Sequence, residues 1–217
     1  MKRISYKFTG ILTMVLILSI TSVKGQSSDQ NNIRFGIKGG LNISNMYTKD
    51  VQDNNTLMGF HGGLFLKLPI TSVLAFQPEL LYTMKGSVLT YNSFITGKAS
   101  FSLNYIEMPL LAVINVTENF NIHGGVYLAS LTGVKITNKS SVDLFNFESD
   151  LKKSDFEMFD YGLVAGAGLD LNKFSLGIRY EYGLKPVGKE RSFLGQPYRI
   201  PDARNSTIQL YLSISIL

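Results

Sequence analysis

Eight stretches of this chain, each about ten residues long, alternate strictly between two kinds of side chain, and one kind never includes a charge. Successive side chains of a strand point to opposite faces, so each stretch reads as a strand with two unlike sides. In the first, Phe35, Ile37, Leu41 and Ile43 alternate with Arg34, Lys38 and Asn42. In the second, Phe60, Leu64, Leu66 and Leu68 alternate with His61, Phe65 and Lys67. The third sets Phe76, Leu80, Tyr82 and Met84 against Glu79 and Lys85, and the fourth sets Ile106, Met108 and Ile114 against Tyr105 and Glu107. The second half repeats the rule around Phe120–Leu128, Phe159–Leu169, Phe174–Leu184 and Ile208–Ile216.

The first side of these segments is wholly apolar apart from tyrosine hydroxyls. The second holds Arg34, Lys38, Lys67, Lys85 and Arg179 against Glu79, Glu107, Asp160, Asp170 and Glu181, five cations and five carboxylates. A soluble barrel turns its apolar face inward. Here the charged side is also rich in glycine, as if it were the crowded one. An eight-stranded barrel has an interior just wide enough for side chains. Neutralised ion pairs and small residues inside, with the apolar face turned to lipid, therefore predict an all-β, eight-stranded antiparallel up-and-down transmembrane β-barrel. A charge on the outer face at mid-bilayer would cost about 2–4 kcal/mol, which accounts for its absence there.

The connections give a separate reading. Those at 69–73, 116–119 and 171–173 are short, whereas 44–57, 86–104, 130–158 and 185–206 are long, and the two kinds alternate. Outer-membrane barrels have short periplasmic turns and long extracellular loops, with both termini in the periplasm. On that orientation Phe35, Phe76, Phe120 and Phe174 form an inner aromatic girdle. Phe60, Tyr82, Phe159, Tyr161, Tyr180 and Tyr182 form an outer one.

Residues 1–25 read as a secretory signal peptide, with Lys2, Arg3 and Lys7 ahead of the apolar run Ile11–Ile20 and small residues at Val23 and Gly25. The run is too short for a spanning helix. Residues 26–217 are then the barrel domain, and the expected location is the cell outer membrane. The formal charge of +5 belongs to the leader: its four cations leave 17 basic against 16 acidic residues in the remainder. Such a balance gives no field for nucleic acid. The chain has no cysteine, which excludes a disulfide framework, a thiolate metal site and a lipidated anchor.

Chemistry is sparse. His61 and His123 are the only histidines, both on the charged side, and read as hydrogen-bonded filler; neither a metal nor a cofactor is expected. A lipid hydrolase would need a Ser/His pair on the lipid surface, and His123 points inward, so no enzyme is expected. Eight residues are expected to form a lumen ion network: Arg34, Lys38, Lys67, Glu79, Lys85, Glu107, Arg179 and Glu181. The connection 140–159 carries Phe145, Phe147, Phe156 and several acids. That at 185–204 carries Lys185, Lys189, Arg191, Arg199 and Arg204. The two are expected to pack over the mouth, with lipopolysaccharide phosphate as a candidate contact of the basic one.

The runs GFHGGLFLKLPI, LAFQPELLYTMKG and LNYIEMPLL resemble the PorT-type outer membrane β-barrel proteins of Bacteroidota. The opening RFGIKGGLNISN and the late YGLVAGAGLDL fit the same pattern. The most specific pieces are Gln77-Pro78-Glu79-Leu80 and Tyr105-Ile106-Glu107-Met108-Pro109. The resemblance implies a barrel without an active site, and the family's named member is tied to type IX secretion and gliding. Fold alone does not carry that role over. Two departures stand out: the chain ends Ser215-Ile216-Leu217 rather than on an aromatic, and Pro78 and Pro109 sit inside strands, where a bulge or local unpairing is expected. The expected function is structural or interaction-based, with outer-membrane lipid, lipopolysaccharide and membrane-protein complexes as partners of a monomeric barrel. The alternatives are a small porin or transport pore, and a secreted soluble barrel that binds a ligand.

Overall fold

The structure is a computed structural model that describes residues 32–47, 54–92, 96–140, 147–150, 156–188, 190–193, 196–199 and 203–216. The expected leader at 1–25, with Phe145 and Lys189, lies outside them. The strands are β1 (Arg34–Tyr47), β2 (Asn54–Pro69), β3 (Leu74–Asn92), β4 (Thr96–Asn115), β5 (Phe120–Ser140), β6 (Phe147–Asp150), β7 (Phe159–Leu171), β8 (Phe174–Pro186), β9 (Glu190–Phe193), β10 (Gln196–Arg199) and β11 (Arg204–Ser215).

Eight of them, β1–β5, β7, β8 and β11, pair antiparallel in sequence order, and β1 pairs with β11 to close the ring. Closure follows from stagger. Phe35 faces Leu66, and the register that sets Phe65 against Glu79 puts Leu66 opposite Pro78. From Pro78 the ladders run through Leu110, Val126, Leu163, Tyr182 and Ser206 to Asn45. One circuit from Phe35 to Asn45 therefore advances ten residues along β1, and a stagger of that size tilts the strands by about 40°.

The faces divide as the alternation predicts. Leu210 and Leu212 are 44% and 51% exposed, whereas Arg179 and Glu181 are each 1% exposed. The aromatics at Phe60, Phe76, Tyr82, Phe120, Phe159, Tyr161, Phe174 and Tyr180 also point outward, with Phe35 and Tyr182 half-buried. Phe60 and Tyr82 sit beside each other, ring centroids 6.0 Å apart. The short turns fall at 70–73, 116–119 and 172–173. The hydroxyl oxygens of Thr71 and Thr117 accept backbone N–H bonds in the first two, and Asn172 takes positive φ (54°) in the third.

One expectation needs correcting. The long connections are not loops throughout: β3 and β4 stay paired out to Asn92 and Thr96, and β5 runs to Ser140 and pairs with β6. Their residues keep enough β-branched and aromatic character to continue the ladder once a partner strand is fixed beneath them. Of the bulge or local unpairing expected at Pro78 and Pro109, the ladders show the unpairing, with no shift of register there. The β3–β4 ladder skips from Pro78–Leu110 to Leu81–Glu107, so unpairing is local. The shift in β4–β5 lies elsewhere, at Asn104/Tyr105, where Thr132 Oγ1 donates to Asn104 O at 3.0 Å.

A cation at Leu210 would test which face meets lipid. Leu210→Lys is expected to lower unfolding free energy in lipid vesicles by about 2–4 kcal/mol, measured by urea titration.

Candidate functional site: a filled lumen

Inward side chains occupy the barrel in layers, starting at the short-turn end. Lys67 Nζ donates to Asp170 Oδ2 at 3.0 Å and to Asn115 Oδ1 at 3.2 Å, and Asn121 Nδ2 donates to the same Asp170 oxygen at 3.1 Å. Arg34 stands at the rim and donates to the backbone oxygen of Asn172 at 3.5 Å.

The next layer centres on Glu79. Its carboxylate accepts from the Lys38 ammonium, from Arg179 Nη2 at 2.9 and 3.2 Å, and from Gln77 Nε2 at 2.7 Å. Both cations also lie against the Tyr211 ring, Lys38 Nζ at 4.2 Å and Arg179 Cζ at 5.0 Å from its centroid. Gly168 and Gly177 make room for that ring. A Cβ on either would lie 2.6 or 2.5 Å from the tyrosine oxygen, so the glycines on this side serve close approach.

Higher up, Lys85 Nζ reaches Glu107 Oε2 at 2.5 Å and Glu181 Oε2 at 2.8 Å, over the face of Tyr127 at 4.2 Å. The Glu181 contact is one of charge, since neither of its oxygens has a hydrogen-bond partner in good geometry. Tyr127 Oη and Asn205 Nδ2 then donate to Asp160 Oδ2 at 3.0 and 2.8 Å. Buried charges need partners of this kind, because an unpaired one in low dielectric is strongly destabilising.

Both histidines are amide-held. Asn42 Nδ2 donates to Thr83 Oγ1 and to the Met84 carbonyl, so its oxygen faces His61 Nδ1 at 2.8 Å and that nitrogen carries the hydrogen. His123 Nδ1 meets Asn121 Oδ1 at 3.1 Å in the same sense. Among the described residues no group of three His, Asp or Glu side chains suits a metal ion.

The outer end is different in kind. Leu103, Leu131, Val134, Phe156, Val187 and Ala203 pack together there, all buried. Phe156 is fixed by a bridge to Gly188, and Glu157 N donates to Val187 O at 2.9 Å. Lys185 pairs with Glu157 at 2.8 Å, joining the third and fourth outer connections.

Of the residues expected in an ion network, Lys38, Lys67, Glu79, Lys85, Glu107, Arg179 and Glu181 thus stand in ion pairs, with Asp170 and Asp160 in the layers below and above, and Arg34 bonded at the rim. Alternation also placed Tyr105, Tyr127 and Tyr211 on the inner side, although the role of Tyr127 and Tyr211 as ring platforms for the cations needed the fold. Of the apolar stopper, Phe156 was legible as part of a connection expected to pack over the mouth, whereas Val187 and Ala203 had no signal because they lie in a connection without alternation.

Glu79→Gln would leave Lys38 and Arg179 facing each other without a shared anion. A loss of about 3–5 kcal/mol is expected, read as the shift in urea midpoint of the vesicle-refolded protein. The triple change with Lys38→Met and Arg179→Met should recover most of it.

Residues 25–188 match the family described as outer membrane protein beta-barrel domain. A search of curated proteins finds no match. Among solved structures, the chain is similar to Ail, the attachment invasion locus protein of Yersinia pestis, at 12% identity and TM-score 0.46, covering 84% of this chain and 98% of that one. It is similar to Neisserial surface protein A at 14% identity and TM-score 0.42, covering 85% and 99%. The outer membrane protein OprG of Pseudomonas aeruginosa gives 11% identity and TM-score 0.38, covering 86% and 94%.

Proposed function

The chain belongs to the outer membrane protein β-barrel domain family, and on that premise we propose that it is a sealed, non-enzymatic barrel whose work is done by its outer strands. It resides in the outer membrane. The observation that carries the sealed reading is the pairing of Glu79 with Lys38 and Arg179 across the lumen, with all three side chains at 2% exposure or less. A permeating ion would have to part charges held in low dielectric and then displace the Phe156 stopper. The ring has no free edge in the bilayer, since β1 pairs with β11, which supports a monomer.

The chain also builds outward above the ring. β2, β3, β4, β5 and β6 continue outward as one ribbon, with pairings at Asn54–Leu89, Asn92–Thr96, Gly97–Ser140 and Asn138–Phe147. A rigid β-ribbon on a sealed base suits contact with lipopolysaccharide or a membrane-protein partner. We place the chain with PorT-type barrels on the strength of Gln77–Leu80 and Tyr105–Pro109, and propose a secretion or motility complex as the partner class.

In planar bilayers the refolded protein is expected to give no steady conductance; persistent ion-selective channels would replace the sealed reading with that of a pore. A native-detergent pull-down checks the partner class. Recovery of the bare barrel from both wild type and a variant lacking residues 88–100 would count against a ribbon-borne partner.

A further inference from the structure

The lipid-facing side of β8, β11 and β1 is apolar up to Ile178, Ile208 and Ile43, and there the rule ends. Tyr180 Oη and Ser206 Oγ lie 2.8 Å apart on that side. Arg204 follows two residues above Ser206. The ladder to β8 shifts register between the two, but the ladder to β1 runs without a break, so the alternation that turns Ile208 and Ser206 outward turns Arg204 outward as well. It is exposed. Among the described residues it is the one cation on the lipid-facing side of these three strands, and no carboxylate pairs with it. Lys185, next to its ladder partner Pro186, is by contrast paired with Glu157 at 2.8 Å. Ser206 stands opposite Tyr182 of the outer girdle. Two residues further a strand rises about 7 Å, or about 5 Å along the axis at a tilt of about 40°. The headgroup layer is about 5–8 Å deep on each side of the hydrocarbon, so Arg204 lies within it.

We infer that Arg204, with the Tyr180–Ser206 hydroxyl pair below it, holds the phosphate of an outer-leaflet lipid against the β8–β11–β1 wall. The inference rests on the outward orientation and the lipopolysaccharide contact proposed above, and gives that contact a place outside the ribbon. A guanidinium presents a planar fork of donors that matches phosphate oxygens by charge-assisted hydrogen bonds. Two hydroxyls bonded to each other use one hydrogen, so the pair keeps a second to donate. Beneath them Ile208 lies beside Ile43, and Leu210 beside Leu41, an apolar track along the wall. Cation above and hydrocarbon below in one column is the order of groups in a phosphorylated lipid. A free phosphate ion would leave the track without a partner. The site does not depend on the lumen being sealed, since it lies on the outside of the ring.

Native mass spectrometry of the refolded barrel in a neutral detergent, titrated with monophosphoryl lipid A, tests this. Saturable binding of one lipid is expected. The same lipid stripped of its phosphate should bind at least tenfold more weakly, and Arg204→Gln should weaken the phosphorylated lipid by a similar factor. Lys173→Gln, an exposed cation on a short turn at the opposite end, should leave binding unchanged. Heat-modifiable gel mobility establishes that each variant is folded. Equal binding by Arg204→Gln, equal binding of the stripped lipid, or displacement of the lipid by inorganic phosphate at equal concentration would overturn the site. The variant lacking residues 88–100 separates this site from the ribbon. Its lipid binding should match the wild type; if that variant loses the lipid while Arg204→Gln keeps it, the ribbon is the contact and the wall site falls.

Discussion

One carboxylate holds the middle of this barrel. Glu79, on β3, is the shared anion of Lys38 on β1 and Arg179 on β8, so a single side chain ties strands that are not neighbours in the ring. Every other layer is built around that clamp. Tyr211 fills the remaining width because two cations lie against its ring, and Gly168 and Gly177 are bare because the ring needs their space. In a wider barrel the same charges would be hydrated and the clamp would contribute little. In a narrow one they must find each other.

The two ends of the lumen solve different physical problems. At the short-turn end, charge and hydroxyl groups meet water, and the wall residues stay polar. At the outer end, strands that continue above the ring bring Leu103, Leu131 and Val134 over the opening, and Phe156 and Val187 close onto them. A dry stopper over a paired-charge core keeps solvent from the outer carboxylates, whereas Lys67 at the short-turn end stays partly open to water.

The alternation in residues 34–43, 58–68 and 207–216 gave the faces of those strands without ambiguity, because a period of two leaves no freedom once one side is charged. Connection lengths carry the expected orientation, with short turns toward the periplasm. The extent of β3, β4 and β5 was less legible. Ser87–Asn92 and Gly97–Leu103 lack the strict apolar-to-charged alternation of a lipid-facing strand, since above the membrane neither face is dictated by lipid. The prolines were readable as faults in the ladder, but whether the chain would bulge or simply unpair depended on the neighbouring strands, which hold the register rigidly on both sides of Pro78.

By itself the sequence determined that there would be eight strands, which side of each meets lipid, and that the hidden charges balance at five against five. Those properties are local or additive: they follow from side-chain period and composition. Only the tertiary structure decided which cation meets which carboxylate, that Tyr127 and Tyr211 lie against the cations, and that Phe156 closes the outer end. These depend on the stagger of ten residues around the ring, which sets residues as far apart in the chain as Glu79 and Arg179 at one height. No single strand carries the information for that stagger, because it exists only when the last strand meets the first.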